Sequence, residues 1–148
     1  MDLHLDPTTI FVALISATGA AVALLLWTYL LNRHERSLLY TALAFGLTSL
    51  GLVTMTVRET LPSWIYVQFG VSLILLGTSL VWAIARSFNG RAHPWWAVLA
   101  APALWIVICA IPGVVADFPL RLAVSSFFIG GSYLAAAIEF QRANDGLR

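Results

Sequence analysis

Few residues in this chain have the chemistry for a site, and their spacing decides what they can do. The histidines are His4, His34 and His93, and the one cysteine is Cys109. Asp2, His4 and Asp6 alternate near the N-terminus, and metal ligands of these types are common. The stretch is a short terminus, where fraying is the rule, so a solvated segment is the preferred reading. His34 and His93 fall between apolar runs, where they could meet at one membrane face. Loop histidines among solvent or headgroups are preferred to a metal pair. None of the three lies inside an apolar run, so histidine ligation of haem between helices is not expected. Cys109 has no second cysteine for a disulfide or a cysteine-based zinc site. The sequence holds no His-Glu-x-x-His, no paired catalytic carboxylates and no Ser-His-Asp set. Gly130-Gly131 lacks the Lys-Ser/Thr of a phosphate loop. The chain reads as non-enzymatic, with no cofactor, no metal and no nucleic-acid partner. One acidic residue stands apart. Glu139 lies near the end of the last apolar run, three residues before Arg142, a spacing that pairs charges on a helix.

The elements that must position these residues are membrane spans. The 148 residues are 60% hydrophobic and 10% charged, whereas a soluble domain carries about 25% charged residues. That leaves too little polar surface for a water-soluble globule. No alternation of apolar and polar residues runs through successive segments, which argues against a β-barrel. The expectation is an all-α integral membrane protein, one domain of five transmembrane helices over residues 9–31, 37–57, 64–85, 95–111 and 120–140.

The third run is the centre. Pro62 suits a helix start. Trp64 and Tyr66 suit a membrane interface. Residues 64–85 are uncharged, and about 20 residues cross the hydrocarbon. Gly90 is placed to end the helix. Gln68 is the one strongly polar side chain in this span, so it should face another helix. Gly70 and Gly77, seven apart, share a face. Gly46 (four after Ala42) and Gly131 (four before Ala135) make further small pairs, so all four glycines are candidates for helix packing. Pro102 divides the fourth run and predicts a kink. Pro112 to Phe118 reads as a loop.

Arginine placement orients the bundle. All eight basic residues are Arg, which points to a GC-rich bacterial genome. With the N-terminus outside, the inner segments hold Arg33, Arg36, Arg86, Arg91, Arg142 and Arg148, and the outer ones only Arg58 and Arg121. Six against two follows the positive-inside rule and puts the C-terminus in the cytoplasm. The acidic opening Met1–Pro7 lacks the basic start of a secretory signal and is kept as mature protein. The expected location is the bacterial inner membrane.

Several helix ends together carry a resemblance. They are Leu5-Asp6-Pro7-Thr8-Thr9, Leu61-Pro62-Ser63-Trp64, Arg86-Ser87-Phe88-Asn89-Gly90-Arg91 and the Glu139-containing end of the fifth run. This set resembles the N-terminal membrane sensor module of bacterial diguanylate cyclases. The resemblance implies a sensory module that passes a helix shift to a cytoplasmic output domain, with Glu139 and Arg142 as the candidate relay. The partners it implies are the bilayer, a second copy of the chain or that output domain. No Gly-Gly-Asp/Glu-Glu-Phe motif occurs in the sequence, so the chain itself is not expected to make cyclic di-GMP. The alternative class is a small transport protein or a structural subunit of a larger membrane complex.

Overall fold

The computed structural model describes residues 7–145, and among these there are helices and no strands. We number the helices α1 (Pro7–Leu31), α2 (Arg36–Thr56), α3 (Ile65–Phe88), α4 (Trp95–Cys109), α5 (Pro112–Ala116) and α6 (Phe118–Asp145). Four of them, α1, α2, α3 and α6, are long and apolar enough to cross a membrane. Helix α4 has 15 residues, about 22 Å at 1.5 Å per residue. The expected span 95–111 is therefore shorter as a helix, because Pro112 starts a new one. The segment read as a loop contains α5, and Pro112 sits in its first turn, where a missing N–H is harmless. Helix α6 starts two residues before the expected point. The Asp117 carboxylate caps it, accepting the Leu120 N–H at 3.2 Å.

Helix α3 is the hub. It packs against α2, α4 and α6, while α1 packs on α2. Half of its apolar window is buried, against none of that of α1. Leu75 and Ala85 are wholly buried. Its first six residues, Ile65–Gly70, form a π-helix. At its end the Val71 N–H bonds to Gln68 O, three residues back, and not to the Val67 carbonyl. Trp105 of α4 meets the consequence, donating its indole N–H to Val67 O at 3.0 Å in the core. Gln68 lies in the same π-helical turn, half-buried. Helix α4 continues through Pro102, which is itself buried.

Close approach of α2 and α3 depends on glycine. A Cβ on Gly77 would strike Thr48 Oγ1 and would lie 2.6 Å from the Ala44 carbonyl oxygen. One on Gly70 would strike Thr54 Oγ1, and one on Gly51 would lie 2.6 Å from Gly70 O. Gly46 and Gly131 are different: a Cβ there would meet nothing within 4 Å. They lie outside the tight seam, so the packing expected of all four glycines is found at Gly70 and Gly77. Helices α1 and α2 are joined by Ser49, whose hydroxyl donates to Thr18 Oγ1 at 2.6 Å.

Two core clusters give the chain directions. One joins Ala44, Leu80, Ala83, Ile84 and Val98; the other joins Val67, Leu75, Trp105 and Cys109, with Val124 and Phe128 against it. Val98, early in α4, meets the end of α3, and Trp105 and Cys109, late in α4, meet its beginning. Helix α4 is thus antiparallel to α3. Helix α6 runs the other way: Val124 lies by the start of α3 and Glu139 by its end. The parallel pairing of α3 and α6 requires the chain to return between them, and α4 makes that return.

Candidate functional site

The site is assembled where α3 ends. Asn89 is the C-cap of α3, and Gly90 follows with φ +65°. The Gly90 N–H bonds to Ser87 O at 3.0 Å and the Arg91 N–H to Arg86 O at 3.1 Å. This pair of bonds is a Schellman cap, and a side chain at Gly90 would pay the left-handed penalty. The cap turns the chain so that Arg86, Asn89 and Arg91 can all reach α6.

They converge on Glu139, which is 3% exposed. Glu139 Oε1 lies 3.4 Å from Arg86 Nη1 and 3.8 Å from Arg142 Nη1, and Oε2 lies 3.6 Å from Arg91 Nη1. Asn89 adds a backbone tie, donating Nδ2–H to Glu139 O at 2.6 Å. Arg86 is held from two more sides. Its guanidinium lies 5.1 Å over the Trp82 ring, a cation–π contact, and donates to Ala92 O at 3.2 Å. Chemically, the arrangement is an ionic clasp between the ends of two parallel helices. A carboxylate removed from water needs such partners. Among the described residues its hydrogen bonding is incomplete, since buried Glu139 Oε2 accepts and Arg86 Nε donates no hydrogen bond.

The expected Glu139–Arg142 pair is present, but it is the longest of the three contacts. Glu139 lies three residues before the end of the apolar stretch Phe118–Arg142, about one turn from its exit, and α6 itself runs on to Asp145. Arg86, Arg91 and Asn89 read in the sequence as marks of a helix end, and the two arginines as marks of the cytoplasmic side. Their signal was the density of polar groups in residues 86–91 facing a lone acid in the last span.

His93 borders this end. It packs edge-on to Trp95 at 5.0 Å and to Tyr40 at 6.2 Å, and its Nδ1 lies 3.2 Å from Ser87 Oγ. His93, expected as a loop histidine in solvent or headgroups, lies in the α3–α4 loop and is half-buried, whereas His34 is exposed. Asp2, His4 and Asp6 lie outside the described residues, as does Arg148. Among the described residues no group of three or more His, Cys, Asp or Glu is placed to hold a metal ion.

Compared with protein-family models, characterised proteins and solved structures, the chain matches none.

Proposed function

We propose that this chain is a transmembrane signal-transducing module of the bacterial inner membrane, the class to which the diguanylate cyclase sensor modules that it resembles belong. In this reading it crosses five times, with α4 as the short fourth crossing, the N-terminus outside and the C-terminus in the cytoplasm. The parallel pairing of α3 and α6 supports the fifth crossing. The positions of Arg33, Arg86, Arg91 and Arg142 support the orientation.

The observation that carries the reading is the burial of Glu139 among arginines of a different element. An ionisable group buried inside a bundle of apolar helices is costly and marks function more often than packing. Helix α6 is the helix that leads to anything attached after it. The clasp couples its position to α3, the hub that every long helix but α1 packs against. A shift of α6 would exchange Arg86 and Arg91 for the flanking Arg142 and headgroups. The incomplete hydrogen bonding leaves such a second arrangement accessible. Coupling between two states of this kind is worth about 1–3 kcal/mol, or roughly 5- to 150-fold in an equilibrium.

The test is a fusion of the chain to a cyclase domain with cyclic di-GMP measured in cells. Glu139→Gln and Arg86→Gln should each change output at least fivefold at equal membrane level, with Arg142→Gln changing it less. Unchanged output from the clasp variants, beside a clear effect of Gly77→Leu, would discard the clasp as the relay. Unchanged output from all of them would favour a structural subunit.

A further inference from the structure

We infer that the groove between α4 and α6 is a binding site for one anionic phospholipid, with its phosphate on the arginines around Glu139 and an acyl chain along α3. The inference needs a bilayer around the bundle but not the signalling reading.

Helices α4 and α6 flank α3 and leave between them an apolar groove of about 340 Å³. Its floor is Ser79 and Trp82 of α3, and its walls carry Ala97 and Leu104 of α4 and Phe127 and Ala135 of α6. Both ends are placed by helix geometry. Trp82 is four residues before Arg86, and Ala135 is four before Glu139, so the floor and the α6 wall each continue on one helix face into the clasp. Trp82 joins the two parts directly, lining the groove while its ring lies under the Arg86 guanidinium. Phe127 is 12 residues from Glu139, about 18 Å along α6. One leaflet contributes about half of a 30 Å hydrocarbon core. The groove and the clasp together therefore span about the depth of a single leaflet.

Charge decides the head group. Three arginines surround one glutamate, and 3 − 1 leaves +2. Glu139 is buried behind them, whereas the Arg91 and Arg142 side chains are 53% and 59% exposed. Glu35 lies with Ser37 and Tyr40 on the α2 side of α3. An occupant with an apolar tail and a phosphate head matches both halves, and guanidinium forks suit phosphate oxygens.

Native mass spectrometry of the protein in detergent, with phosphatidylglycerol or phosphatidylcholine of identical chains, tests this. The expected result is one retained phosphatidylglycerol with at least tenfold preference over phosphatidylcholine. Arg91→Gln with Arg142→Gln should cut that preference at least fivefold. Gly131→Leu should cut retention while leaving the melting temperature unchanged, because its side chain enters the groove from a site with nothing within 4 Å. Glycerol phosphate at millimolar concentration should not displace the lipid. Equal retention of the two lipids would overturn the proposal. So would undiminished retention in Gly131→Leu, or displacement by glycerol phosphate, which would mark a phosphate site with no use for the groove.

Discussion

Glu139 of α6 and Arg86 of α3 stand 53 positions apart in the chain and 3.4 Å apart in space. This contact makes the last helix and the central helix end as a unit. Arg86 is only 26% exposed, so each group limits what the other can do. Loss of either charge should leave the other partly desolvated. A double-mutant cycle with Glu139→Gln and Arg86→Gln, read as thermal stability in detergent, should give a favourable coupling of about 0.5–3 kcal/mol. Strict additivity would show that the two charges do not act together.

Gly77 and Gly46 should respond in opposite ways to a large side chain. Leu at Gly77 must displace Thr48 and the Ala44 backbone, so Gly77→Leu should cost about 1–3 kcal/mol or more. Gly46→Leu meets open space and should melt within a degree or two of the parent. Equal melting of the two variants would contradict the α2–α3 seam described above.

Trp105 holds the π-helical turn from outside. Trp105→Phe keeps most of the ring but removes the donor to Val67 O. The expected loss is about 1–3 kcal/mol, the cost of leaving a buried carbonyl poorly satisfied. Faster amide exchange confined to residues 65–71 would accompany it. A variant as stable as the parent would show that the bond is incidental.

Topology can be read by labelling from outside the cell. In a Cys109→Ala background, Asp117→Cys and Glu59→Cys should react with an impermeant maleimide, and His34→Cys should not. All three positions are exposed, so accessibility to the reagent is set by the membrane alone. The reverse pattern would invert the orientation inferred from the arginines.

Much of this arrangement is legible residue by residue. Runs of apolar side chains with arginine at their ends specify helices of membrane length, because lipid offers backbone groups no other partner. The Arg86–Arg91 stretch marks its helix end through Gly90, which alone tolerates the φ of +65° that the cap requires. Gly70 and Gly77 are legible as a seam from their seven-residue spacing. Gly46 and Gly131 carry the same local signature and lie elsewhere, because a helix apolar on every side does not declare which face meets protein and which meets lipid.

The sequence alone determined an all-helical chain of apolar runs with the third at the centre; of the five spans it implied, four are helices of spanning length and α4 is shorter. Only the tertiary structure decided the partners. The burial of Glu139 rests on α3 and α6 being parallel neighbours, and that depends on α4 returning between them. The Trp105–Val67 bond depends on a π-helical turn that propensity does not announce. Local patterns are set by each residue's own transfer energy and backbone preference. The choice of neighbour is set by side-chain shape and charge across dozens of intervening positions, where no periodicity records it.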